Sequence, residues 1–266
     1  WFDYSGLDDV AALILRGLPD VAQLIKDKGG DASPLPARAQ FYAACMAGDT
    51  PTAQRLKPDH MGHSPDVEAE LLREAAGNGQ LHALKTMIEL GFDLSPKGVQ
   101  TPLHFAAWRG QTDAIKLLLE AGADPKIRDP EHHGPPLGHA LHGQQKGAIA
   151  LLLDAEMDIF SAAVFGRTDQ IEARLKEDPH WLNARLAQVI QPGSAHCEME
   201  WVTPIWMAAL RDNWDSVVNL AERGADVSIL DPTGRSLEDF AVESGQRDLA
   251  ASLAAFADAS RGSRNK

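Results

Sequence analysis

Residues 101–129 read TPLHFAAWRGQTDAIKLLLEAGADPKIRD, and this stretch decides the fold of the chain. Its Thr-Pro start is suited to cap and begin a helix, because proline is tolerated in the first helical turn. Apolar residues then recur at helical spacing as far as Gly110. A second helix is predicted over residues 111–120, and Gly122 can close it in the left-handed conformation. The stretch therefore predicts a pair of short helices.

The opening T-P-L-H-x-A-A, the central glycine and the G-A-D close resemble an ankyrin repeat. One helix pair of this size cannot bury its apolar faces alone. It needs neighbours of the same shape on both sides, so the rest of the chain is expected to supply them.

A small residue in the middle of each first helix marks the repeat register. The first four marks are evenly spaced, and Gly17, Gly48, Gly79 and Gly110 hold the same offset from them. The eight marks are Leu13, Ala44, Ala75, Ala106, Ala140, Ala162, Ala208 and Ala241. We therefore expect an all-α ankyrin-repeat solenoid of about eight helix-turn-helix units with short hairpin fingers.

The repeats account for nearly the whole chain, so a single ankyrin-repeat domain over residues 1–266 is expected. The expected repeats are residues 7–36, 37–66, 67–97, 98–129, 130–157, 158–182, 201–231 and 232–260, with an insertion loop at 183–200. The last repeat has the polar residues of a cap, whereas the first is apolar and needs upstream residues to cover it.

Two irregular intervals between marks predict local departures from the array. The short fifth-to-sixth interval indicates that Asp154–Ile159 joins two helices directly, without a finger. The long sixth-to-seventh interval places an extended loop at residues 183–200. We expect Met199 and Trp201 to anchor its end, and the loop to fold over the concave face.

Composition narrows the class of partner. The formal net charge is −13, and an acidic chain repels phosphate backbones, so nucleic acid is not expected as a partner. No apolar run is long enough to span a membrane.

Cys45 and Cys197 lie in distant repeats, so no disulfide is expected. The absence of a disulfide predicts a cytoplasmic location. The start, WFDYSG, has neither an initiator Met nor a signal peptide, so we expect that upstream residues were removed or omitted. The alanine- and glycine-rich composition suggests a bacterial member of the family.

No catalytic motif is present. The chain has no nucleophile elbow, no phosphate-binding glycine loop and no His-Glu metalloprotease helix, so neither an enzyme nor a cofactor is expected. His104 is the histidine of the T-P-L-H motif, whose implied role is hydrogen bonding within and between repeats. Trp206 takes that position in the seventh repeat and is expected to pack in the core.

The resemblance implies a partner-binding surface. In ankyrin repeats the residues just before the central glycine lie on the concave face, and here they include Trp108, Arg109, His142, Phe165 and Arg211. The loop residues His132, His133 and Trp201 are further candidates. Aromatic residues and arginine are enriched at interface cores, although packing on neighbouring helices is the alternative for Trp108 and Phe165. We therefore expect a non-catalytic module, monomeric by itself, that binds another protein, with a regulatory or inhibitory role left open.

A second hypothesis is a module that binds a metal or a small ligand. The chain has ten histidines, and the candidates are His132, His133, His139, His142 and the loop at His196. None has zinc-finger spacing, and neighbouring histidines in an extended loop point to opposite sides. We therefore predict no metal site, and keep this hypothesis as the alternative.

Overall fold

The computed structural model describes residues 37–57, 65–190 and 198–264. Every regular element in these residues is helical, which confirms the all-α class. The predicted first repeat, at residues 7–36, lies outside the described part of the chain. No helix within the described residues is both long and apolar enough to cross a membrane.

The described helices follow one another in pairs, as the repeat pattern predicts. The first helices of the pairs are α1 (Ala37–Ala47), α3 (Pro65–Gly77), α5 (Pro102–Arg109), α7 (Pro136–His142), α9 (Ile159–Val164), α11 (Pro204–Ala209) and α13 (Leu237–Glu243). The second helices are α2 (Thr50–Leu56), α4 (Leu81–Glu89), α6 (Thr112–Glu120), α8 (Lys146–Leu153), α10 (Thr168–Glu177), α12 (Trp214–Glu222) and α14 (Arg247–Arg264). Two 3-10 helices, Pro179–Asn183 and Leu186–Gln188, lie between α10 and α11.

The described residues form two compact units that divide after Ala155. In the first unit, α3 packs on α5 and α5 packs on α7, so the first helices of consecutive repeats stack side by side. In the second unit, α9 packs on α11 and α13 packs on α14. Each unit thus buries helix faces that a single pair would leave exposed.

The alanine marks coincide with a repeated hydrogen bond. Each marked alanine in the described repeats is buried, and its carbonyl accepts the backbone N–H of the residue five positions later. The acceptors are Ala44, Ala75, Ala106, Ala140, Ala162, Ala208 and Ala241. The mark therefore identifies a buried position in each first helix, where a small side chain suits dense packing.

A left-handed residue ends the first helix of every described pair. Glycine occupies this position in five of the pairs, at Gly48, Gly79, Gly110, Gly166 and Gly245. Gln144 (φ 54°) and Asp212 (φ 56°) occupy it in the fifth and seventh repeats. This turn geometry is therefore a property of the repeat, and it is retained where a side chain makes it strained.

In two repeats, a buried aromatic ring is hydrogen-bonded to the loop that follows the repeat. His104 is fully buried, its Nδ1 accepts the Thr101 backbone N–H (3.1 Å), and its Nε2 lies 3.1 Å from the Gly134 carbonyl oxygen. Trp206 is also fully buried and donates its Nε1–H to the Ile229 carbonyl (2.9 Å). Both rings therefore have the structural roles predicted for them.

The connections between repeats are closed by turns. No strand occurs in the described residues; instead, Asp129 N–H donates to the Gly134 carbonyl and Asp231 N–H to the Arg235 carbonyl, both at 3.0 Å. Only residues 154–158 separate α8 from α9, and they contain no strand. This connection is shorter than residues 121–135 between α6 and α7, which agrees with the short interval between the fifth and sixth marks.

The start of the insertion differs from the prediction of an extended loop. Residues 183–190 contain the end of one 3-10 helix and all of the next, and Leu186 is buried. Leu186 N–H donates to the Val202 carbonyl (2.8 Å) and Ala187 N–H to the Glu200 carbonyl (3.2 Å). This part is therefore fixed to the second unit by backbone hydrogen bonds, and the extended-loop prediction is wrong for it. Residues 191–197 lie outside the described residues.

Candidate functional site

The first unit presents an exposed aromatic ring at the end of α5. Trp108 is 44% exposed, and its ring stacks on that of His142, with centroids 4.9 Å apart and an interplanar angle of 20°. Arg109 beside it is exposed and donates a hydrogen bond to the Asn78 side chain. We call Trp108, Arg109 and His142 the Trp108 cluster.

A close backbone approach positions this cluster. A Cβ atom on Gly143, at the end of α7, would lie 2.4 Å from the Trp108 carbonyl oxygen. Glycine therefore allows the ends of α5 and α7 to meet, which brings His142 against the Trp108 ring. Leu141, also on α7, is 41% exposed, so a second large apolar side chain of the same helix is open to solvent.

The other predicted partner-binding residues have different surroundings. Phe165 is half-buried at the C-terminal cap of α9, and Arg211 is exposed in the turn after α11; both belong to the second unit. Trp201 is half-buried, with its ring 5.2 Å from that of Trp206. His132 is exposed, whereas His133 is only 9% exposed and offers a partner little surface.

Asp129 is the centre of a polar network that the sequence did not reveal. Its carboxylate is buried and accepts backbone N–H groups of Glu131 (3.0 Å), His132 (2.7 Å) and Gly134 (3.0 Å). The Nε2 atom of His139 lies 3.0 Å from Oδ2, and Nδ1 of His132 lies 3.4 Å from Oδ1. The sequence does show an Asp followed by a tight turn. Such an Asp is expected to accept backbone N–H groups of the turn, but the pattern does not predict the contacts with the histidine rings.

The network sets the charge state of its members. Burial by itself raises the pKa of Asp129, but the hydrogen bonds from His139 and from the His132 backbone outweigh it and hold that pKa well below its usual value. Burial, with repulsion from His139, lowers the pKa of His104 to about 3. Asp129 is therefore an anion and His104 a neutral ring at neutral pH.

The histidines of the metal hypothesis are divided among several environments. His132 and His139 lie beside Asp129, His142 stacks on Trp108, and neither ring nitrogen of the buried His133 has a hydrogen-bond partner among the described residues. His196 lies outside the described residues. One group that could hold a metal occurs in the described part, formed by His104, Asp129 and His139, with ligand atoms within 4.8 Å of one another.

The family model for ankyrin repeats, in three copies, matches residues 40–129. This range includes α1 to α6 and ends at Asp129. No curated protein matches the chain.

Proposed function

Because residues 40–129 are ankyrin repeats, we propose that this ankyrin repeat protein is a non-catalytic module that binds another protein through the Trp108 cluster. Ankyrin repeats generally mediate protein–protein interactions. The observation that carries the proposal is the Trp108 ring, which is 44% exposed although it is held in one orientation by His142. A large ring that is already ordered contributes contact area to an interface at little cost in conformational entropy.

The charge of the cluster supports the same proposal. Arg109, the residue after Trp108, is exposed and extends its guanidinium group to Asn78, in a chain whose formal net charge is −13. Tryptophan and arginine are the residue types in which binding energy is most often concentrated. Phe165 and Arg211 occupy equivalent positions in the second unit, directly before the left-handed residues Gly166 and Asp212, and we propose them as contacts of the same kind there.

Affinity purification of partners from the native cell tests the proposal. Wild-type protein, Trp108→Ala and a control variant, Leu230→Ala, serve as baits, since Leu230 is another exposed apolar side chain, 53% exposed, in the second unit. A partner bound through the cluster is expected to bind Trp108→Ala about thirtyfold more weakly, or about 2 kcal/mol, and to bind the control normally. Circular dichroism establishes that both variants are folded. Partners recovered equally by all three baits would refute the role of the cluster.

A further inference from the structure

Two imidazole rings and one carboxylate meet at the loop that precedes α7. Asp129 lies between His139, whose Nε2 is 3.0 Å from Oδ2, and His132, whose Nδ1 is 3.4 Å from Oδ1. The two histidine rings are 6.1 Å apart at their centroids and nearly perpendicular, at 84°. All three residues belong to the first compact unit.

These distances are close to those of ligands around one metal ion. Zinc binds imidazole nitrogen and carboxylate oxygen at about 2.0–2.2 Å, so neighbouring ligand atoms in a tetrahedral shell lie about 3.3 Å apart and two bound rings about 5 Å apart. The Asp129–His139 and Asp129–His132 pairs are near the first value at opposite oxygens of the carboxylate, Oδ2 and Oδ1, so both oxygens would face the ion. The His132 side chain is 66% exposed, so its ring is free to swing the remaining distance.

His104 belongs to the most compact group but is unsuitable as a ligand. Its Nδ1 accepts the Thr101 backbone N–H, so the proton of the neutral ring is on Nε2, which donates to the Gly134 carbonyl. A metal bound at Nε2 would displace that proton and would leave the Gly134 carbonyl without its donor. The His104 ring instead packs edge-on against His139, with centroids 4.8 Å apart, and fixes the orientation of that ring.

The surroundings of Asp129 provide the outer contacts that metal-binding carboxylates require. Backbone N–H groups of Glu131 and His132 donate to Oδ1, and that of Gly134 donates to Oδ2. These bonds hold the carboxylate in place whether or not a cation is bound. The proton of His139 that faces Oδ2 is then the one that an incoming cation replaces.

From this geometry we propose that Asp129, His132 and His139 bind one divalent transition-metal ion of the zinc class. Two imidazole ligands favour such an ion over Mg²⁺ or Ca²⁺, which prefer oxygen ligands. Three protein ligands leave one coordination position open to water or to a partner's side chain. The site is separate from the Trp108 cluster in its ligands, although the His139 ring lies 6.2 Å from that of Trp108.

Metal titration of the full chain, free of any affinity tag and treated with a chelator, tests the proposal. Calorimetry with ZnCl₂ is expected to show one equivalent bound, and CoCl₂ is expected to give the visible absorption of a four-coordinate complex. His132→Ala and His139→Ala should each weaken binding at least about a hundredfold, because loss of even an outer contact costs tenfold to a hundredfold. His180→Ala is the matched control, since His180 forms a 2.8 Å pair with Asp178 but is 95% exposed.

The variants also show how the proposal would fail. His132 is on the surface, so His132→Ala should fold normally even if His139→Ala is destabilised. Unchanged zinc affinity in His132→Ala would overturn the proposal. So would the absence of saturable binding in the wild type, or an equal loss of affinity in His180→Ala.

Discussion

The buried neutral ring of His104 makes stability depend on pH, and the sign follows from the direction of its pKa shift. Burial lowers its pKa to about 3, whereas an unfolded histidine titrates near 6.5. Above about pH 6.5 the ring is neutral in both states and the folded state keeps its full stability. Below that pH the unfolded chain takes up a proton that the folded chain excludes, so stability falls as pH falls towards 3.

The size of the loss can be worked out from the same shift. Each pH unit between the two pKa values contributes about 1.4 kcal/mol, so the loss attributable to His104 is about 2 kcal/mol at pH 5. His104→Gln removes the titrating group and retains an amide that can donate towards the Gly134 carbonyl. The variant is expected to start less stable, because the amide cannot make all the hydrogen bonds of the imidazole ring, but to lose about 2 kcal/mol less than wild type between pH 7.5 and pH 5.

Urea denaturation followed by circular dichroism at the two pH values measures this difference. His82→Gln is the control, since His82 is exposed on α4 in the same unit. Equal losses of stability in wild type and His104→Gln would refute the reasoning. In wild type, the NMR resonance of His104 should also show no titration down to pH 4.

Three further changes test the packing described above. Gly143→Ala is expected to lower stability by about 1–3 kcal/mol, because its Cβ would lie 2.4 Å from the Trp108 carbonyl oxygen. The control Gly138→Ala, in α7, should be neutral or raise stability by up to about 1 kcal/mol. Thermal melting of both variants measures the difference. Leu186→Ala is expected to cost about 2–5 kcal/mol in denaturation, as for a buried leucine, and a cost under about 1 kcal/mol would contradict its place in the core. Deleting residues 191–197 should change stability by no more than about 1 kcal/mol, and loss of cooperative unfolding would show that they are needed for the fold.

The register could be predicted from the sequence because it rests on local steric requirements. A small residue is needed where helices stack, and glycine is favoured where φ is positive, so both recur visibly. The same reasoning does not predict a positive φ at Gln144 or Asp212, because neither residue is a glycine. Nor does it predict the burial of Leu186, which goes with backbone hydrogen bonds to residues 200–202 rather than with helical periodicity.

The candidate surfaces were less predictable than the fold. The offset before the central glycine identified Trp108 and Arg109 as exposed residues, because that offset fixes where a side chain points in any repeat. It could not show that His142 stacks on Trp108, since this contact depends on the close approach at Gly143. Asp129 was missed because its ring partners come from a turn and from the following helix.

The polar network forms where the repeat motif is interrupted. By alignment with the fourth repeat, Gly138 occupies the position that His104 holds, so the fifth repeat has no ring there to tie it to the next loop. Its ring is instead one residue later, at His139, and contacts Asp129 in the preceding loop. Asp129 thereby gains an imidazole partner in addition to the backbone donors of its own turn. His139 on the helix and His132 in the turn therefore both lie beside the Asp129 carboxylate, and the His139 ring is 6.2 Å from that of the exposed Trp108.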